Sequence, residues 1–226
     1  VDTQMGNGQT PLHLAIGAGH RQVVQALLAA GASLTLRSKP GTFIPINQWQ
    51  VAQATPLGLA IAGRSVPLIE QLVAAGAKLD EPAGATSSQM APMSPLLLAC
   101  SFGDFGTAGR LLELGAKPGA EAKGQSPISV AVGLSAPASF LEQLVNKGAP
   151  VVWTGERGET LLHLAVEADH QEGVSWLLKH GISPDAQDAE GNSVLLAAVN
   201  RAAQQRGRAW SPAQKPSADP AIADLL

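Results

Sequence analysis

Apolar residues recur along this chain in short bursts at helical spacing, each burst closed by a glycine. Val23, Val24, Leu27 and Leu28 form one stripe, Leu68, Ile69, Leu72 and Val73 a second, and Leu141, Leu144 and Val145 a third. Residues at i, i+3 and i+4 share one face of a helix, so each stripe predicts a short amphipathic helix packed along one side. Ahead of each stripe lies a hexapeptide that opens on a hydroxyl residue. The six copies are Thr10-Pro-Leu-His-Leu-Ala15, Thr55-Pro-Leu-Gly-Leu-Ala60, Ser94-Pro-Leu-Leu-Leu-Ala99, Ser126-Pro-Ile-Ser-Val-Ala131, Thr160-Leu-Leu-His-Leu-Ala165 and Ser193-Val-Leu-Leu-Ala-Ala198. A hydroxyl before proline starts a helix: the oxygen caps free N–H groups and proline is already set for the first turn. The first repeat therefore predicts a short helix from Pro11 to about Ala18 and a second from near His20. Gly31, Gly76, Gly115, Gly148 and Gly181 end the second helices as left-handed cap residues. They follow the hexapeptide start by 21 residues in four repeats and by 22 in the fourth.

Helices this short cannot bury their apolar faces alone, so neighbouring units must stack. The hexapeptides start 45, 39, 32, 34 and 33 residues apart. Against a period of about 33 residues, the first junction carries an excess of roughly 12 and the second of roughly 6. Repeats are placed near 6, 51, 90, 122, 156 and 189 in one domain spanning 1–226. Inserted loops fall at about 34–50, 80–92 and 201–218, after which Ala221–Leu226 resumes a second helix. Val1 falls part-way through a repeat, and the expectation is an excised piece or ordered core of a longer repeat protein.

Thr10-Pro-Leu-His-Leu-Ala15, the pair Gly19-His20, the run Val23-Val-Gln-Ala-Leu-Leu28 and Gly31-Ala32 together resemble the ankyrin repeat. The resemblance covers nearly the whole chain and is strongest in the first and fifth units. It implies an all-α solenoid of paired antiparallel helices, with a β-turn finger projecting from each junction beside a concave groove. Gly58, Leu97 and Ser129 depart from the pattern where it has histidine, and Arg64 and Asp169 where it has glycine. These departures leave the local turn geometry open.

Composition agrees with close helix stacking: alanine, leucine and glycine dominate and tyrosine is absent. A net charge of −3 gives the whole chain no electrostatic reason to bind nucleic acid or a membrane surface. The single Cys100 forms no internal disulfide and reads as a small buried apolar residue. No apolar run approaches the roughly 20 residues that span a bilayer. The sequence leaves the location open, soluble in cytoplasm or periplasm, and the Ala-rich, Tyr-free composition suits a GC-rich bacterial genome.

Candidate chemistry is sparse. His13 and His163 share one motif slot and His20 and His170 another, but a metal needs three or four converging ligands. By resemblance these histidines are structural, bonding across neighbouring turns. No nucleophile stands with a base and an orienting acid, and the glycines recur at the repeat period rather than in a phosphate loop. No cofactor and no small-molecule substrate is expected. The acids are uneven: Glu156, Glu159, Glu167, Asp169, Glu172, Asp185, Asp188 and Glu190 gather around the fifth unit, while none occurs from Thr3 to Ile69.

The expected function is non-enzymatic binding of another protein through fingers and groove. Phe43, Ile44, Ile46 and Trp49 concentrate in the first enlarged finger, Pro40–Trp49, which lies outside the repeat stripe and holds two prolines. Two readings are open: an exposed anchor, or a loop that folds back over a neighbouring finger. The second enlarged finger, Asp80–Met93, is rich in proline, alanine and serine and reads as flexible. Family register places Met90, Met93, Phe102 and Leu134 on the groove, together with Glu156, Arg157, Glu167, Asn200 and Arg201. Trp153, on the fourth-to-fifth finger, is a further candidate, whereas Trp176 lies in a second-helix stripe and reads as core. Two alternatives stand beside this function: a neutralising partner of a bacterial toxin or secreted enzyme, and the targeting domain of a larger enzyme.

Overall fold

A computed structural model describes residues 1–40, 43–46, 49–87, 90–119 and 125–205, with side chains other than those of 43–50 and 200–205. The chain forms two compact units, Val1–Pro118 and Gly119–Leu226. The first contains helices α1 (Pro11–Gly17), α2 (Arg21–Ala29), α3 (Pro56–Ala62), α4 (Val66–Ala74), α5 (Pro95–Ser101) and α6 (Phe105–Glu113). It also holds the strands β1 (Phe43–Ile46) and β2 (Trp49–Ala52). The second contains α7 (Pro127–Gly133), α8 (Ala138–Asn146), α9 (Leu161–Glu167), α10 (Gln171–Lys179) and α11 (Val194–Gln205). Within each unit the helices pair and stack as an all-α repeat architecture.

The first helices begin where the hydroxyl residues predict. Thr10, Thr55, Ser94 and Ser126 accept from the backbone N–H three residues on, and proline follows each. Leu12, Leu57, Leu96, Ile128 and Leu162, the third hexapeptide positions, are at most 2% exposed. The alanines that close the motif, such as Ala60, Ala99, Ala131 and Ala165, are buried with them and let helices approach closely. In the second helices the buried stripe is Leu68, Ile69 and Leu72 in one repeat and Leu141 and Leu144 in another. The first repeat departs from its expected stripe: Val24 is buried but Val23 is 49% exposed.

The departures from glycine leave the interhelical turn intact. Gly19 and Gly103 adopt left-handed backbone, and Arg64, Ser135 and Asp169 do so too, with φ of 51, 56 and 58°. In all five turns the next N–H reaches the carbonyl five residues back, as His20 does to Ala15 and His170 to Ala165. That bond satisfies a helix-end carbonyl and holds non-glycine residues in a conformation they otherwise avoid.

The inserted segments are more ordered than expected. Within 34–50 the backbone builds a hairpin: β1 pairs antiparallel with β2, Phe43 opposite Ala52 and Pro45 opposite Gln50. Ala52 exchanges two 2.9 Å backbone bonds with Ala85, and Met93 closes on Ala83 and Gly84 at 2.7 Å. The base of the 80–92 insertion is therefore pinned between β2 and Met93, with Ala83, Gly84 and Ala85 buried, rather than flexible. At the C-terminal side, residues 201–205 continue α11, so the third insertion does not begin at 201. Residues 206–218 of that expected loop, and 221–226 after it, lie outside the described residues.

Candidate interaction surface

In the first unit the positions that would line a groove are buried in the second and third repeats, whereas in the first repeat Leu14 is 47% exposed. Leu59 and Leu98, the fifth hexapeptide residues, and Ala62, seven residues after Thr55, are 0% exposed. β2 packs on α3, and Val51 and Ala52 are fully buried. Met93 and Phe102, expected on the groove, are instead 5% and 3% exposed. Met93 is drawn in by its bonds to the second insertion, and the Phe102 carbonyl accepts from the Arg64 guanidinium at 3.1 Å. Met90 is half-buried and takes a bond from the Thr86 hydroxyl at 3.3 Å. The side chains of Phe43, Ile44, Ile46 and Trp49 lie outside the described residues; the backbone of that finger forms the β1–β2 hairpin, which leaves both readings of it standing.

In the second unit the equivalent positions are open. Leu134 is 48% exposed, Glu167 is exposed at the end of α9, and Val130 and Leu164 are half-buried. The finger before α9 is a tight turn: Gly158 N–H donates to the Gly155 carbonyl at 3.0 Å and Gly155 N–H to the Glu159 carbonyl at 2.8 Å. Glu156 and Arg157 occupy the two central positions, both exposed. Gly158 takes φ of 76°, and a Cβ there would meet Ala189 N at 2.6 Å. That approach lets Ala189 N–H donate to the Arg157 carbonyl at 2.8 Å, tying this finger to the next. Gly155 is also required: a Cβ would lie 2.5 Å from the Glu159 carboxylate and 2.8 Å from the Trp153 ring. The Glu159 carboxylate is held by the Arg157 backbone N–H at 2.9 Å.

These elements enclose a cleft of about 370 Å³. Trp153, Glu156, Arg157 and Glu159 form its finger wall, and Ser129, Val130, Gly133 and Leu164 belong to its α7 and α9 side. Of the expected residues, the cleft brings together Trp153, Glu156 and Arg157; Leu134 and Glu167 do not line it. Gln125, Ser129, Val130, Gly133, Glu159 and Leu164 were missed. The available signal was the fifth hexapeptide position, which is Val130 and Leu164 in these two repeats. Asn200 and Arg201 fall on α11, with side chains outside the described residues. Trp176 is core as expected, 7% exposed, with its indole N–H on Glu142 at 2.9 Å.

The histidines clasp the fingers. The Nδ1 of His13 accepts from Thr10 N–H at 3.2 Å, which leaves Nε2–H to donate to the Ala54 carbonyl at 3.0 Å. His163 repeats this with Thr160 and the Asn192 carbonyl, both at 3.2 Å. Burial holds His13 and His170 below the ordinary histidine pKa, against smaller opposing backbone bonds. Burial also pushes the Cys100 thiol up to about 12, where it is not a nucleophile at neutral pH. Among the described residues no group of three or more His, Cys, Asp or Glu is placed to hold a metal ion. Among them, too, no helix is long and apolar enough to cross a membrane.

The human and mouse proteins called ankyrin repeat domain-containing protein 63 are 40% identical to this chain over 77 residues. That match covers 33% of this chain and 20% of either relative, a fifth of their length. Among solved structures, a chain from the Bdellovibrio bacteriovorus complex of a predatory endopeptidase with an immunity protein aligns with a TM-score of 0.63. It is 23% identical, over 79% of this chain and 84% of that one, a likeness of fold. The family pattern described as ankyrin repeats in three copies matches residues 96–188 and 128–205, and that described as an ankyrin repeat matches 7–39. With its capped helix pairs, left-handed turns and histidine-clasped fingers, the chain belongs to the ankyrin repeat family.

Proposed function

We propose that this chain is a non-enzymatic protein-interaction module whose recognition surface is the cleft on the second unit. The observation that carries the reading is the contrast between the second and third repeats and the second unit. The concave positions Leu59, Ala62, Leu98 and Phe102 are buried, whereas Glu156 and Arg157 are exposed at a cleft walled by Trp153, and Leu134 and Glu167 are exposed on the same unit. A half-buried tryptophan beside an arginine on a rigid turn is the composition that interface centres favour. The test is affinity capture from the source organism's lysate with the full chain and with its Trp153→Ala/Arg157→Ala version. A protein retained by the first and lost by the second supports the reading. Equal retention by both moves the interface elsewhere.

A second reading is a neutralising partner of a secreted enzyme. What favours it is the fold likeness to a chain from a complex in which an endopeptidase is bound to its immunity protein. It predicts that the captured protein is a hydrolase whose activity falls when the chain is added. A captured protein with unchanged activity would reject this narrower role and leave the first intact.

A further inference from the structure

We infer that the cleft's occupant is an extended basic segment of the partner protein, with an arginine or lysine side chain laid against the Trp153 indole between Glu156 and Glu159. This rests on the reading of the cleft as the interaction surface. Charge is the first argument. Between Gln125 and Gln205 the chain carries nine Asp or Glu against four Lys or Arg, and eight of the nine acids lie from Glu156 to Glu190. Val1–Pro118 carries six acids against seven bases, so the acidity belongs to the segment that holds the cleft. On the two fingers of this region, Glu156, Glu159, Asp185, Asp188 and Glu190 are opposed by Arg157 alone. Hydrogen bonds from Asn192 hold the Asp188 carboxyl below the usual range, which keeps it ionised through mildly acidic pH. An anionic segment approaching here meets repulsion, and a cationic one is steered in.

The shape of the cleft gives the second argument. An indole is the aromatic best suited to attract a cation over its face, and the Trp153 ring lies so close to Gly155 that a Cβ there would come within 2.8 Å of it. Glu159 is preorganised by the Arg157 backbone N–H, while Glu156 stands free to swing at the turn. Val130 and Leu164, with the bare Gly133 beside open space, offer an apolar floor for the aliphatic stem of lysine or arginine. Arg157, at the tip of the turn, supplies donors for main-chain carbonyls of an extended chain. A volume of about 370 Å³ admits the side chains of a short segment, not a folded element.

The test uses the full chain and fluorescein-labelled hexa-arginine, hexa-glutamate and a neutral Gly/Ser hexapeptide, read by fluorescence polarisation at low salt. Hexa-arginine should bind at least about tenfold tighter than the neutral peptide, and hexa-glutamate should not bind. Trp153→Leu should weaken hexa-arginine at least about fivefold and Glu156→Gln about threefold. Glu172→Gln, an equal loss of charge on α10, should change it less than about twofold. A matching loss from Glu172→Gln, or none from Trp153→Leu, overturns the inference by showing diffuse attraction. Tighter binding of hexa-glutamate overturns it outright. Circular dichroism establishes that each variant is folded, and Trp153→Phe replaces Trp153→Leu if that variant is not. Should hexa-arginine fail to bind while capture of the natural partner still depends on Trp153, the basic occupant is discarded and the interaction surface stands. Should capture also ignore Trp153, both fall together.

Discussion

At the residue scale, the fourth hexapeptide position shows one physical need met in several ways. In four of the repeats the first helix starts with a hydroxyl residue, Thr10, Thr55, Ser126 or Thr160, whose own N–H finds an acceptor inside the fold. His13 and His163 supply it with Nδ1, and Ser129 supplies it with its hydroxyl at 3.0 Å from Ser126 N. In the second repeat the acceptor comes from outside the helix: Thr55 N–H and its hydroxyl both donate to the Ala83 carbonyl, at 2.8 and 3.1 Å. Gly58 makes room, since a Cβ would stand 2.1 Å from that oxygen. Read in the sequence, Gly58 was only a departure from histidine, because the group that replaces the imidazole lies 25 residues away in the second insertion. Gly58→Ala should therefore cost about 2–3 kcal/mol of stability, the penalty of overpacking plus a displaced acceptor. Urea unfolding checks it, and an unchanged midpoint would show that the carbonyl can move aside.

The buried histidines make stability depend on pH with a defined sign. His13 and His170 stay neutral in the folded chain below the usual value of 6.5, because burial disfavours the imidazolium. The unfolded chain takes those protons first. Folding stability is thus full above about pH 6.5 and declines as pH falls through that value toward the lowered folded pKa. Unfolding midpoints at pH 7.5 and 5.5 should differ in that direction, and His13→Gln should narrow the gap. A gap that His13→Gln leaves unchanged would assign the effect to other groups.

At the scale of elements, the helices were legible because their signals are local. Hydroxyl caps, proline and glycine stops sit within a few residues of the bonds they make, and the register repeats. The β1–β2 hairpin was not legible. Phe43-Ile-Pro-Ile46 lacks apolar alternation and contains a proline, and its partner β2 is held on the far side by Ala85, a contact that no local pattern records. The interhelical turns lie between these cases: glycine announced two of them, whereas Arg64, Ser135 and Asp169 hide the same left-handed geometry. Arg64 offsets its strain with the bond to the Phe102 carbonyl, and Ser135 is exposed on a turn that glycine would fit. Ser135→Gly should stabilise the chain by about 1 kcal/mol, relief of left-handed strain less the added freedom of the unfolded state. A loss of stability in thermal unfolding would mean that the serine side chain contributes more than its backbone costs.

At the scale of the whole molecule, register alone assigned Met93, Phe102 and Leu134 to one groove, and burial divides them. A repeat period states which positions face one side, but not whether another part of the chain covers that side. The excess lengths at the first two junctions were visible, and the second and third repeats, which follow those junctions, are where the concave side is buried. Only burial connects the two facts: Met93 and Phe102 now belong to the core of the first unit, while Trp153 walls the cleft of the second. The same kind of truncation should then have opposite consequences. Met93→Ala removes buried volume and should cost about 2–4 kcal/mol of stability, with affinity for the partner unchanged wherever the chain remains folded. Trp153→Ala should cost about 2–4 kcal/mol of binding as an interface anchor, with a much smaller effect on unfolding. Calorimetric titration with the captured partner, run beside urea unfolding of both variants, separates the two. If Met93→Ala lost affinity while keeping its stability, the covered side of the first unit would have to open on binding, and the division of labour between core and cleft would be wrong.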